Sequence, residues 1–223
     1  MQKFATTAPI AAVLDIPAGS IRFIAADRND AVVEVLPSDA SKSRDVKAAE
    51  QVTVEYVDGV LRVGAAAAKN RVLGNPGSVE VTVQLPAGSS VEAKAASAEF
   101  RGVGRLGDVV FEGAQGVVKL DEAASARLTL QAGDITVGRL GGSAEISVTK
   151  GGLTITEALR GSLELTTQAG DITVGAARGV SATLDAGTTY GRIRNTLENS
   201  EGAAAGLNIR ATTSYGDITA RSL

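Results

Sequence analysis

The sequence predicts an all-β protein: a single-stranded parallel β-helix, or β-solenoid, of about 18 residues per rung with an N-terminal antiparallel β cap. Three observations carry that reading. The heptapeptide Ala-Gly-Asp-Ile-Thr-Val-Gly stands at 132–138 and again, letter for letter, at 169–175, a spacing of 37. Identity at a constant period marks stacked repeats. Lys150-Gly151-Gly152-Leu153 lies midway between the copies, and Tyr190-Gly191-Arg192-Ile193 and Tyr215-Gly216-Asp217-Ile218 repeat the turn further on, so the unit is half of 37. Finally, 26 Gly with no Cys, His or Trp and only three Tyr and four Phe leave aliphatic side chains to build the core.

The first apolar residue after each turn is Phe100, Val118, Ile135, Leu153, Ile172, Ile193 and Ile218, at intervals of 18, 17, 18, 19, 21 and 25. Within a rung the apolar residues alternate in pairs: Leu128 with Leu130, Ile135 with Val137, then a corner at Leu140. The next rungs give Ile146, Val148, Leu153, Ile155 and Leu159, then Leu163, Leu165, Ile172, Val174 and Ala177. Alternation in such short pieces predicts strands with one face inward, and Gly, Asp and Asn turn the corners. A single rung cannot bury its own face. Each inward aliphatic contributes roughly 1.5–3 kcal/mol only when neighbouring rungs cover it.

Residues 1–90 are read as the cap and first rungs, and 91–223 as the regular solenoid, in one continuous domain. Strands are expected at Ala12–Ile16, Ile21–Ala25, Val32–Leu36, Val52–Tyr56 and Val79–Leu85. Asp58-Gly59 turns Val52–Tyr56 back onto Val60–Val63 as a hairpin. Loops are expected at Ser38–Glu50 and Gly64–Ser78. Asp15-Ile16-Pro17-Ala18-Gly19-Ser20 echoes Gln84-Leu85-Pro86-Ala87-Gly88-Ser89, a strand ending in the same turn.

The Pro-Ala-Gly-Ser turns, the segment Val-Glu-Val-Thr-Val-Gln-Leu-Pro at 79–86 and the repeated Gly-Asp-Ile-Thr-Val rungs resemble the bacterial putative-adhesin family of β-strand-repeat domains of unknown function. The likeness spans nearly the whole chain. It implies a single-stranded β-helix and brings no catalytic residue with it. Members of that family often carry a membrane anchor or export signal, which this sequence does not display.

Composition excludes several chemistries. Without His or Cys there is no histidine-based triad, no Cys or His zinc site and no disulfide. A formal charge of −3 gives no bulk attraction to nucleic acid or anionic membrane. No stretch approaches the roughly 18 apolar residues of a membrane span. The apolar run Ile10–Leu14 is too short for a secretory h-region, so a cytoplasmic location is expected.

Candidate sites divide along the turns. Asp134, Asp171 and Asp217 share a turn position with Gly152 and Arg192, so sequence order gives a column Asp, Gly, Asp, Arg, Asp. Carboxylates two rungs apart cannot gather the six to eight oxygens of a calcium site, and turn formation with Arg192 pairing to Asp171 or Asp217 is the expected role. No metal or cofactor is expected. Thr136, Thr154, Thr173 and Thr219 form an outward column interrupted by Arg194; as an ice-binding ladder it lacks the second threonine at Gly138 and Gly175. The basic clusters Lys42, Arg44, Lys47 and Arg101, Arg105 lack interleaved aromatics and read as solvated loops. Tyr190 and Tyr215 are expected to stack in the core wall rather than form a sugar platform.

Two features suggest a partner. The interval of 25 comes from an insertion at 194–206 that carries Asn195, Glu198, Asn199 and Glu201. The sequence also ends at Arg221-Ser222-Leu223 straight after its last rung, so Tyr215, Arg221 and Leu223 are expected on an uncapped C-terminal rung that binds a protein or self-associates. The function expected is a non-enzymatic scaffold or protein-interaction module. The alternatives are a cell-surface adhesin or carbohydrate-binding protein and, further off, a polysaccharide lyase-like enzyme. No small-molecule substrate is evident.

Overall fold

Alternate residues of the expected strands are apolar, and in the computed structural model of the chain those are the buried ones. Leu128, Leu130, Ile135, Val137, Ile146, Val148, Leu153 and Ile155 are each at most 1 % exposed. The structure describes residues 1–65 and 77–223, so most of the loop expected at Gly64–Ser78 lies outside the described residues. They are nearly all β, with one α-helix among them, and fall into two compact units, Met1–Ala114 and Gln115–Leu223.

The first unit holds β1 (Gln2–Ala5), β2 (Ala11–Ala26), β3 (Asp30–Pro37), α1 (Ser43–Glu50), β4 (Val52–Val57), β5 (Val60–Ala65), β6 (Val79–Pro86) and β7 (Ser90–Gln115), which runs to the unit boundary. The expected hairpin is present as antiparallel β4 and β5, with Val54 opposite Val63. β3 pairs antiparallel with β1 and β6, but β2 runs parallel to β5, β6 and β7. The described residues of 1–90 therefore mix antiparallel and parallel pairing along the same strands, where an antiparallel cap leading into the first rungs was expected. The reason lies at Gly19. The first Pro-Ala-Gly-Ser does not end a strand, because Gly19 at φ +135° lets β2 continue straight past Val79, whose carbonyl oxygen would lie 1.8 Å from any Cβ. The second copy does turn: Ser89 Oγ donates to the Pro86 carbonyl at 2.7 Å and accepts the Ile10 N–H at 3.0 Å.

One expectation about this unit needs correcting. The segment read as a loop contains α1, since Lys47, Ala48, Ala49 and Glu50 are good helix formers and buried Asp45 anchors the helix by accepting the Ser78 N–H at 3.0 Å. The aromatic residues of an otherwise aliphatic core gather in this unit. Phe100 packs between Phe23 and Phe111 at centroid distances of 5.7 and 4.8 Å, all three fully buried.

The second unit holds β8 (Val118–Ala132), β9 (Ile135–Leu140), β10 (Ala144–Lys150), β11 (Leu153–Ala158), β12 (Gly161–Ala169), β13 (Ile172–Ala176), β14 (Ala182–Tyr190), β15 (Ile193–Thr196), β16 (Leu207–Tyr215) and β17 (Ile218–Ser222). Two parallel ladders run through it. The start of β8 leads one ladder, through β9, β11, β13, β17 and β15. The end of β8 leads the other, through β10, β12, β16 and β14. Glycine turns link them: a Cβ on Gly133, Gly151, Gly170 or Gly216 would lie 1.7–2.0 Å from the carbonyl oxygen of the glycine stacked against it. At the corner, Ala158 rather than Leu159 faces inward, because it stands three residues after Ile155 in unbroken register with Leu140, three after Val137; β13 meets it at Ala176 across a bulge.

Stacking order departs from sequence order at the end. The anchors run Val118, Ile135, Leu153, Ile172, Ile218, Ile193, so the last strands in sequence are threaded between the two preceding pairs. Side chains explain the exchange. Asn195 shares the inward face with Ala220 and now lies exposed at the end of its column. In sequence order it would sit between Val174 and Ala220, and a buried unpaired amide costs roughly 1–3 kcal/mol. Threading also sets Arg210 between Glu164 and Asp185, which sequence order would bring together as like charges on adjacent strands.

Candidate functional site: the turn column and the outer strand edge

The turn aspartates are engaged by the next rung. Asp134 Oδ1 accepts the Gly152 N–H at 2.7 Å, Asp171 Oδ1 accepts the Asp217 N–H at 2.8 Å, and Asp217 Oδ1 accepts the Arg192 N–H at 2.9 Å. The Arg192 guanidinium also meets Asp217 Oδ2 at 3.1 Å. The Arg192 backbone N–H, and then its guanidinium, hold the Asp217 carboxyl below its usual range. The column thus reads Asp134, Gly152, Asp171, Asp217, Arg192, correcting the alternation expected from sequence order. Among the described residues no three or more His, Cys, Asp or Glu group to hold a metal ion.

The same exchange repairs the threonine column. Thr136, Thr154, Thr173 and Thr219 are consecutive neighbours, with Arg194 at the end rather than within. A second outward column, Thr129, Ser147, Thr166 and Thr212, went unnoticed in the sequence. Its signal was available as the hydroxyl residue that follows Leu128, Ile146, Leu165 and Ala211 in successive rungs.

Tyr190 and Tyr215 do stack, with centroids 5.0 Å apart and planes 7° from parallel. They are 64 and 60 % exposed, so they lie outside the core wall. Their positions follow the last inward pair, Thr188 and Thr213, at the strand ends where the chain turns.

The residues of the expected insertion are strapped down. Asn195 Oδ1 accepts the Leu197 N–H at 3.0 Å, Glu198 N–H donates to Ser222 Oγ at 2.9 Å, Asn199 Oδ1 accepts the Ser181 hydroxyl at 3.2 Å, and Glu201 N–H donates to Ser181 Oγ at 3.1 Å. This stretch carries the chain from β15 back one rung to β16, into the place that the connection from β13 to β14 passed over. Consequently Tyr215, Arg221 and Leu223 belong to a strand pair inside the stack, and the Leu223 N–H donates to the Ala176 carbonyl at 3.0 Å. The rung expected to be bare is covered on both sides. Among the described residues of this unit the outermost pair is β14 and β15, where Ile193 is 45 % exposed against 0 and 1 % for its column mates Ile172 and Ile218.

Parallel rungs, glycine corners and a carboxylate column spent on backbone N–H groups define an all-β, solenoid-like repeat protein. Residues 13–222 match the family described as Toastrack DUF4097, and the chain belongs to that family. It is also similar over 98 % of its length to 95 % of a putative adhesin from Bacteroides fragilis, at 12 % identity and a TM-score of 0.49. A putative cell adhesion protein from Clostridium sporogenes aligns with all of this chain and 98 % of its own, at 13 % identity and a TM-score of 0.40. A putative lipid binding protein from Parabacteroides distasonis aligns over 98 and 95 % at 9 % identity and a TM-score of 0.41. Comparison with curated proteins finds no match. No helix among the described residues is long and apolar enough to cross a membrane.

Proposed function

We propose that the chain is a non-enzymatic interaction scaffold, coiled as a parallel β-helix from residue 115 onward, that binds an extended segment of a protein partner along β14 and β15. The outer edge carries this reading. Strands at an edge present unpaired N–H and C=O groups and accept a further strand, while flanking side chains select it. Here Tyr190, Arg192, Ile193 and Arg194 flank the edge and are all exposed, which suits a partner strand with an acidic residue beside an apolar one. The engaged carboxylates of Asp134, Asp171 and Asp217 support the absence of catalysis, since each already holds a backbone N–H.

The test is capture from host extract by immobilised full-length protein. A partner held by wild type and by Thr129→Lys, on an outward column, but lost with Ile193→Lys supports the edge. Equal retention by all three sinks it. The exposed Tyr190–Tyr215 stack favours a second reading, carbohydrate binding as in an adhesin. Glycan-array signal that disappears in Tyr190→Ala would select that reading instead.

A further inference from the structure

The threaded strands occupy a slot whose two walls are matched to each other. Gly161 of β12 faces Leu207 of β16, which faces Ala182 of β14; Ile172 of β13 faces Ile218 of β17, which faces Ile193 of β15. On both ladders the inserted strand is 46 positions from its inner neighbour and 25 from its outer one, so the walls are 21 apart on both. Equal offsets mean that β14 and β15 would dock together on β12 and β13 in register, placing Leu184 against Leu163 and Ile193 against Ile172. The three rungs also share one clip. Thr167, Thr213 and Thr188 each donate Oγ1 to the carbonyl of the glycine at a neighbouring turn, Gly151, Gly170 and Gly216 in that order, at 3.1 Å. With residues 207–222 withdrawn, these equal offsets would let the outer rung dock on the inner one and cover its aliphatic residues, at the cost of setting Glu164 beside Asp185.

We propose that this slot is a strand-acceptor site that takes residues 207–222 of a second copy of the chain as well as its own. The occupant follows from identity: a second copy brings the same inward Leu207, Ile209, Ala211, Ile218 and Ala220 and the same Arg210 between Glu164 and Asp185. The connector 197–206 supplies the hinge. It is tied by hydrogen bonds to Gly161, Ser181, Ala182 and Ser222 and to its flanking Asn195 and Asn208, and it contains Gly202, at φ +59°, and Gly206. Exchange of a rung between copies preserves every contact of the single chain at the cost of reopening that connector. The inference does not depend on what binds the outer edge.

The chain has no cysteine, so introduced thiols report alone. Two full-length chains with different tags are to be coexpressed, one carrying Thr166→Cys and the other Thr212→Cys, at exposed positions that face each other across β12 and β16. The expected result is a disulfide-linked heterodimer after mild oxidation, absent when Thr129→Cys replaces Thr166→Cys, since Thr129 lies two strands further away. Thr173→Cys with Thr219→Cys on the other ladder is expected to behave alike and covers the case in which one variant fails to fold. The proposal is overturned if neither facing pair gives more heterodimer than the Thr129 control while the facing cysteines close readily within one chain.

Discussion

At the scale of single residues, glycine and aspartate do different work at the same turn. Gly216, at φ +150°, brings the chain so close to Gly170 that a Cβ would lie 2.0 Å from its carbonyl oxygen. The clash is with backbone, which cannot swing aside. Gly216→Ala is expected to cost roughly 2–3 kcal/mol in urea unfolding through strain and overpacking, and a cost below 1 kcal/mol would contradict the close approach. Electrostatics has its own marker in the first unit. Asp30 is held at about 2, first by its hydrogen bond from Arg28 and then by Lys3, against an ordinary 3.8. A depressed carboxyl adds stability that is complete above the ordinary value and fades as pH falls through the folded one. Asp30→Asn should therefore lower Tm at pH 7, and the gap from wild type should narrow between pH 4 and 2, as followed by thermal melts. A gap independent of pH would assign the loss to something other than the charge.

At the scale of elements, the ladder order of β12, β16 and β14 is an electrostatic and polar choice between two arrangements of equal register. Arg210 lies within 3.7 Å of Asp185 and faces Glu164 on the other side. Exposed pairs of this kind contribute little singly, on the order of 0–1 kcal/mol, but reversing the sign lines three carboxylates along adjacent strands. Arg210→Glu is expected to lower Tm by a few degrees at low salt, with most of the loss restored at about 1 M NaCl, where the screening length falls to about 3 Å. Persistence of the full loss at high salt would point to packing instead. The rung boundaries themselves were legible: Ile135, Leu153 and Ile172 were aligned by period alone and pair in that register. The helix at Ser43–Glu50 was not, because eight residues of good propensity need a tertiary anchor, and buried Asp45 shows only in three dimensions.

At the scale of the molecule, the position of the last rung sets which surface is free. The order Ile172, Ile218, Ile193 can be tested without reference to function. Neighbouring parallel strands stand about 4.8 Å apart, within reach of a disulfide. Thr173→Cys with Thr219→Cys should close within one chain under oxidation, whereas Thr173→Cys with Arg194→Cys should not, as read by intact mass with and without reductant. A coil in sequence order would give the reverse. The exposed Tyr190–Tyr215 stack and Ile193 follow from that placement, so the candidate binding edge moved from the C-terminal strand, where sequence order put it, to β14 and β15.

Period, alternation and corner glycines by themselves determined the β class, the rung length and the paired inward residues of the regular rungs, because each depends on neighbours along the chain. The family likeness read from the Pro-Ala-Gly-Ser turns and Gly-Asp-Ile-Thr-Val rungs holds across residues 13–222. Only the tertiary structure decided the mixed pairing of the first unit and the stacking order of the last two rungs. Those depend on which of several in-register partners a strand meets, and the choice rests on long-range terms no local pattern carries: the exposure of Asn195, the seat of Arg210 between Glu164 and Asp185, and the straight passage of Gly19 beside Val79.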